Sequence, residues 1–396
     1  MLNDKQWKEY QAIYLHTPFC KQKCLYCDFA SYAGYAEAVM RQYTNAVCCE
    51  ISARANEAQY TAADASIYFG GGTPSVLPTE CIAQLVQSLK KYNFWRIPRE
   101  ATIEVNPGTA DLAKLKALRE LGFDRISFGV QSFQDNELKI IGRIHTAQQA
   151  LEAIAMAKKA GFERISADLI YGLPQQTLAS LYDTLTRLCA TDIEHISVYG
   201  LIVEEGTPLE KLIDDGTLML PDEDTTADMY DLVQNFLHAQ GFERYEISNY
   251  AKNGQYTSHN TVYWQYHPYI AFGAASCGFD GDARRTATEI VRDYIAAAPK
   301  LTPANWRRSA LYTIEELTPS MQLEEFMFMG LRRSQGANLA EARLRFGVDV
   351  MKRFANELQP VLAQKLVAYD ERTQHLRLSE RGMAVGNKIF ELFVIN

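Results

Sequence analysis

Gly122-Phe123-Asp124-Arg125-Ile126-Ser127 returns further along the chain as Gly161-Phe162-Glu163-Arg164-Ile165-Ser166, with a variant at Gly241-Phe242-Glu243-Arg244. In each copy a glycine suited to a helix C-terminus leads directly into a strand-like run. Outward from this unit, six segments read as β-strands: residues 12–17, 66–70, 101–106, 125–130, 164–169 and 195–201. Each is rich in Ile, Val, Tyr or Phe and precedes a helix-like stretch. Leu112, Leu115, Leu118 and Leu121 show the helical spacing between two of them. Repeated strand–helix units with short returns predict an α/β fold, with a parallel sheet that is either open or closed into a barrel. In such folds the chemistry gathers at the C-terminal ends of the strands.

The alternation weakens after about residue 205. Residues 206–300 mix helices with a Gly/Tyr-rich stretch, and Thr302 to Trp306 reads as a junction. The tail from about 310 is helical, then carries strand-like residues 365–370, a turn at Glu371-Arg372-Thr373 and a second strand at 375–378. This pattern predicts a small, mostly helical, winged-helix-like module. The expected units are 1–230, a strand–helix barrel; 231–305, a barrel extension and connecting region; and 306–396, the C-terminal module.

Composition narrows the function. With 396 residues, 47% of them hydrophobic, the chain can bury more than one core. The net charge of -8 and the lack of a basic stripe argue against a nucleic-acid partner. Residues 1–11 are polar with no apolar leader, and no apolar run is long enough to span a bilayer, so the expected location is cytoplasmic. In a reducing compartment, clustered cysteines point to metal rather than to disulfides.

The cluster is His16-Thr17-Pro18-Phe19-Cys20-Lys21-Gln22-Lys23-Cys24-Leu25-Tyr26-Cys27, directly after the first strand. Three thiolates in C-x3-C-x2-C spacing suit an iron–sulfur cluster. A four-iron cluster held by three thiolates leaves one iron open to a small molecule. The alternative is a zinc staple, for which His16 is the nearby fourth ligand. Cys48, Cys49, Cys81 and Cys189 read as buried, inert thiols.

The motif, with Tyr26 before its last cysteine, resembles the radical S-adenosylmethionine superfamily, whose fold is a full or partial (β/α) barrel. The resemblance implies a partial (β/α)6 radical SAM barrel over 1–230. It also implies a [4Fe-4S] cluster on Cys20, Cys24 and Cys27, with S-adenosyl-L-methionine chelating the open iron. Reductive cleavage of that cofactor would yield methionine and a 5′-deoxyadenosyl radical.

The other strand ends carry Phe69-Gly70-Gly71-Gly72-Thr73, Glu104-Val105-Asn106-Pro107, Gly129-Val130-Gln131 with Ile141-Gly142-Arg143 after it, and Asp168-Leu169-Ile170-Tyr171. One polar group per strand end is what a cofactor cavity needs. Together they resemble the branch that holds anaerobic coproporphyrinogen III oxidase and the HemW haem chaperones. By that resemblance Tyr26, Gly71, Gly72, Thr73, Glu104, Gln131, Arg143 and Asp168 are cofactor-binding positions. Tyr14 matches a substrate-side position of the oxidase.

Two features separate the branches. The oxidase has a further cysteine two residues after the third, where this chain has Phe29 in Cys27-Asp28-Phe29. His259-Asn260-Thr261-Val262-Tyr263-Trp264 resembles the H-N-x-x-Y-W motif implicated in haem binding, which assigns His259, Asn260, Tyr263 and Trp264 to haem. Imidazole is a common axial haem ligand. Taken alone, the histidine reads as a loop residue packed among aromatics. Cys277, in Gly273-Ala274-Ala275-Ser276-Cys277-Gly278, is either a thiolate haem ligand or a small buried residue; the second reading is preferred, which leaves the second axial position unassigned.

The leading reading is a haem-binding chaperone that delivers haem to acceptor proteins. Its expected partners are haem, a haem-acceptor protein and an electron donor, with peripheral membrane contact through the acceptor. The alternatives are oxygen-independent oxidative decarboxylation of coproporphyrinogen III and a zinc-stapled interaction protein. Haem titration, porphyrinogen turnover and metal analysis distinguish the three.

Overall fold

The computed structural model describes residues 8–394, so most of the polar stretch 1–11 lies outside the described residues. All six expected strands form: β1 Tyr10–Thr17, β2 Thr61–Gly71, β3 Ala101–Val105, β4 Arg125–Gln131, β5 Arg164–Tyr171 and β6 His195–Gly200. They lie side by side in that order, every pair parallel. Helices α1 Glu37–Ala53, α2 Thr79–Lys91, α3 Leu112–Leu121, α4 Ala147–Lys159 and α5 Leu178–Cys189 connect them.

The repeated glycine unit works as its sequence implies. Gly122 caps α3 in the left-handed region at φ 115°, and Gly161 follows α4 at φ 91°. Side-chain caps fix the other ends: Asp111 accepts from Lys114 N, while Thr146 and Thr177 form capping boxes with Gln149 and Ser180. Ile13, Leu15, Ile67, Phe69, Ile103 and Ile126 pack outward with Leu115 and Leu118 as the main core. Alternate residues turn inward and line a lumen.

The middle region differs from expectation. This region and the start of the expected C-terminal module add six strands to the same sheet: β7 Glu243–Arg244, β8 Asn249–Ala251, β9 Tyr269–Phe272, β10 Cys277–Phe279, β11 Ala283–Ala287 and β12 Tyr312–Glu316. The full order is β12-β11-β10-β9-β1-β2-β3-β4-β5-β6-β8-β7, with β9 parallel to β1. These strands are too short for a hydrophobic period to show. Trp306, read as a junction residue, is buried in the barrel core with Arg54 over its ring. The second core takes in Tyr266 and Phe279 from the middle region and continues from Leu317, after β12.

Helix α1 anchors the added strands. Fully buried Glu50 accepts from Gly273 N at 3.0 Å, Tyr312 OH at 2.6 Å and Arg54 Nη1 at 2.8 Å. Arg54 also donates to Ala271 O at 2.7 Å. The C-terminal unit packs helices around a three-stranded antiparallel sheet: β13 Ala337–Asn338, β14 Val367–Asp370 and β15 His375–Leu378, in the order β13-β15-β14. The expected hairpin is thus present. Among the described residues no helix is long and apolar enough to cross a membrane.

Candidate cofactor site and the lumen beneath it

The cysteine loop leaves β1 and is stitched to the end of β2. Gly72 N donates to Thr17 O and Thr73 N to Phe19 O, both at 2.8 Å. Only glycine fits there: a Cβ on Gly72 would lie 2.8 Å from Phe19 O and 3.0 Å from Cys20 Sγ. Gly71 combines φ 110° with a His16 ring 2.6 Å from where its Cβ would stand. The other end of the loop is held by Leu25, whose N donates to Ile141 O and whose O accepts from Leu209 N.

Cys20, Cys24 and Cys27 line a cavity of about 130 Å³, together with every residue expected at the cofactor: Tyr26, Gly71, Gly72, Thr73, Glu104, Gln131, Arg143 and Asp168. Arg143 crosses the site. It donates to Cys24 Sγ at 3.4 Å, to Asn106 Oδ1 at 2.8 Å and to Gly129 O, yet its Nε is buried with no partner. Glu104 accepts from Tyr68 OH at 2.7 Å and from Gly71 N at 3.2 Å. Burial pushes its carboxyl up to about 8, while those two hydrogen bonds pull the other way. Burial likewise lifts Asp168 to about 6 against the pull of Ser197 and Ser127. Gln131 sits at a β-bulge with φ 67°, a left-handed backbone that costs a non-glycine residue on the order of 1–3 kcal/mol. The bulge shifts the β4 register as Gln131 enters the cavity wall.

His16 is already engaged. Its Nδ1 lies 3.0 Å from Tyr14 OH and its Nε2 3.0 Å from Ala30 O. Among the described residues no three His, Cys, Asp or Glu side chains are placed to hold one metal ion. With both ring nitrogens engaged, His16 is not free to act as the fourth ligand of a zinc staple.

Asn106, Ser127 and Gly129 also line the cavity but were not anticipated. Ser127 had a signal in the opening repeat: Ile-Ser recurs at Ile126-Ser127, Ile165-Ser166 and Ile196-Ser197. All three serines face a deeper lumen of about 410 Å³ that continues from the cofactor cavity to Arg125, His195 and Asn260. The arginine of the repeat has a separate task. Arg125, 1% exposed, pairs with buried Glu100 at 3.1 Å and donates to the carbonyls of Gln255 and Tyr256. Glu100 accepts from Ser258 N and His259 N. This pair clamps the start of the helix Ser258–Trp264 at the foot of the lumen.

The residues expected at haem do not form one cluster. His259 is buried, with Nδ1 3.0 Å from Ser66 Oγ and Nε2 2.7 Å from Tyr263 OH, and its ring stacks on Tyr68 at 4.9 Å. Burial drives its pKa down to about 3, so it is neutral, and both nitrogens are occupied. Iron ligation by His259 would require breaking one of these bonds. Tyr14 stacks on Tyr68 in the lumen wall. Asn260 faces the lumen, whereas Tyr263 and Trp264 face away from it, toward the C-terminal unit. Cys277 is half-buried. Of the four thiols read as buried, Cys81 is so; Cys48, Cys49 and Cys189 are half-buried because their helices lie at the surface of the barrel. Burial still raises Cys48 and Cys189 to about 11, which keeps them protonated at neutral pH.

Comparison with known proteins agrees with this geometry. The radical SAM superfamily matches residues 14–188, and the HemN C-terminal domain matches residues 317–385. The chain is 35% identical to "Heme chaperone HemW" of Bacillus subtilis (strain 168), covering 97% of this chain and 99% of that one. It is 33% identical to the protein of the same name from Lactococcus lactis subsp. lactis (strain IL1403), covering 97% of each. It is also 33% identical to the mouse "Radical S-adenosyl methionine domain-containing protein 1, mitochondrial", over 94% of this chain and 85% of that one. Among solved structures, coproporphyrinogen III oxidase (HemN) from Escherichia coli superposes with a TM-score of 0.81 at 21% identity, covering 98% of this chain and 91% of that one. That likeness shows a shared fold. With near-complete coverage above 30% identity, and with three thiols meeting the glycine-rich strand end, the chain belongs to the HemW family of radical SAM proteins.

Proposed function

We propose that this protein is a haem chaperone that carries a [4Fe-4S] cluster on Cys20, Cys24 and Cys27, binds S-adenosylmethionine beside it, and passes haem to an acceptor protein. The observation that carries the reading is the cofactor cavity. It gathers three thiols and eight cofactor-type residues, and Phe29, 68% exposed, stands at its rim where the oxidase pattern has a fourth thiol. The residues fit the cofactors. The glycines leave room for backbone approach, and Arg143 keeps a buried donor without a partner.

When bound, the cluster and S-adenosylmethionine supply one-electron chemistry. The chain's own residues hold and orient. Arg143 places positive charge beside the thiolates. Glu104, fixed by Tyr68 and Gly71, offers a carboxyl oxygen to an amino group. Asp168 and Ser127 give polar anchors opposite. An electron donor and a haem acceptor are required partners, and the working compartment is the cytoplasm.

The test is anaerobic reconstitution with iron and sulfide, then S-adenosylmethionine binding, haem titration and a coproporphyrinogen assay on the same sample. Bound cluster, bound haem and no porphyrinogen turnover support the chaperone. Turnover to the divinyl product would reject it in favour of the oxidase.

A further inference from the structure

The bulge in β4 takes one residue out of the sheet ladder. Gly129 faces Asp168 and Gln131 faces Leu169, so Val130 is the extra residue between them. A buried carbonyl that leaves the ladder needs another donor. Val130 O has two, Ser132 N at 2.9 Å and His145 Nε2 at 3.1 Å. A carbonyl only accepts, so Nε2 carries the ring proton. Burial and the nearby Arg143 charge hold the pKa of His145 down to about 4, which keeps the ring neutral and that proton in place at neutral pH.

The same short segment grips the neighbouring carbonyl. Arg143 donates to Gly129 O, so side chains two residues apart hold two successive carbonyls of the bulge. Gly129 leaves the room in which the cavity side chains converge. A Cβ there would lie 2.8 Å from Asn106 Oδ1, 3.0 Å from Gln131 Nε2 and 3.2 Å from Arg143 Nη2. The gripping segment is itself tied to the cysteine loop. Leu25 N donates to Ile141 O and Gln22 Nε2 to Gly142 O, both at 3.0 Å. His145 is buried, and it lines a small outer pocket beside Cys24 rather than the cofactor cavity.

We propose that His145 is a positioning residue for S-adenosylmethionine: it latches the β4 bulge so that Gln131 and Arg143 stay aimed together at the cofactor. The inference rests on the cofactor reading above. Gln131 sits at φ 67°, a backbone state that persists only where its surroundings enforce it. Without the imidazole, Val130 O keeps one donor, and the bulge can relax toward ordinary strand geometry. That relaxation would turn the Gln131 side chain out of the cavity wall.

The test uses the full chain with its cluster reconstituted, and S-adenosylmethionine as the probe in a binding titration. His145→Leu fills the space without a donor; His145→Gln keeps an N–H donor. His145→Leu is expected to weaken binding about tenfold, with iron and acid-labile sulfide content as in the wild type. His145→Gln is expected to recover most of that affinity, which a purely space-filling role would not give. Gln131→Ala should then cost less affinity in the His145→Leu background than in the wild type, because its side chain is already displaced. If His145→Leu does not fold, His145→Asn, whose amide is shorter than the ring, takes its place. Wild-type affinity in the folded variant, or full additivity with Gln131→Ala, would overturn the latch and leave the cofactor reading standing. A wild-type protein that carries its cluster and binds no S-adenosylmethionine would overturn that reading, and the latch with it.

Discussion

The two ends of the barrel are built from different materials. At the C-terminal ends of the strands, glycines, thiols, Arg143 and two raised carboxyls surround a small polar cavity. At the foot, a short helix presents Tyr263 and Trp264 to a ring-walled cleft. The first end brings the backbone close to its ligand and keeps charge ready. The second holds rigid apolar surface. The two ends therefore offer a ligand different chemistry, and the lumen lies between them.

The most severe break concerns the mouth alone. Cys24→Ala removes one of three thiolates, and the reconstituted protein is expected to lose its iron and acid-labile sulfide entirely. Its haem titration should persist if haem binds at the helix Ser258–Trp264, which carries none of these cysteines. Loss of both would show that the ends are not independent.

Next in size is the clamp that joins them. Arg125→Ala leaves Glu100 buried without its cation, and breaking such a pair costs about 3–5 kcal/mol. Denaturant unfolding is expected to show that loss. Haem affinity should fall too, because Glu100 and Arg125 hold the start of the helix that bears Trp264.

Glu104 gives a pH signature. Its carboxyl rises from 4.5 in the ordinary state to about 8 in the fold, so the native protein holds this proton more tightly than the unfolded chain. The contribution of this group to the stability of the cluster-free protein is therefore fully present below the ordinary value. That contribution is lost as pH rises toward 8, at a limiting slope of about 1.4 kcal/mol per unit. Asp168 contributes the same sign only up to about 6. Between pH 6 and 8, Glu104→Gln is expected to flatten the decline in thermal stability and to weaken S-adenosylmethionine binding. An unchanged slope would show that Glu104 is charged in the fold.

The smallest change sharpens the role of His259. Tyr263→Phe deletes the 2.7 Å contact to Nε2 and should cost about 1 kcal/mol of stability. If His259 were the iron ligand, freeing its Nε2 would tighten haem binding. If it only positions Tyr263, haem affinity should fall slightly.

Much of the mouth was legible in the sequence because local signals coincide there. Cysteine spacing, glycines and one polar residue per strand end all fall in strand-to-helix turns, and the parallel sheet brings those turns together. The foot was less legible. Strands β7 to β12 are short and mostly antiparallel, so no period marks them. The direction of His259 depends on Ser66 and Tyr68, far away in sequence. Met329 lines the same cleft as Trp264 but belongs to another core, so nothing local links the two. The Ile-Ser recurrence was visible, but its inward face became clear only once β4, β5 and β6 lay side by side.

The pairing of β9 with β1 bears on how the molecule comes into being. Strand β1, which delivers the cysteine loop, is flanked by β2 on one side and by Tyr269–Phe272 on the other. Glu50 and Arg54 bind the same late segment. As the chain leaves the ribosome, β1 keeps an open edge until about two-thirds of the protein has been made. Long-range closures of this kind slow folding and expose strand edges while they wait. A barrel cut after the sixth strand would therefore be a sticky fragment, and the cluster is best loaded after synthesis has passed the returning strand.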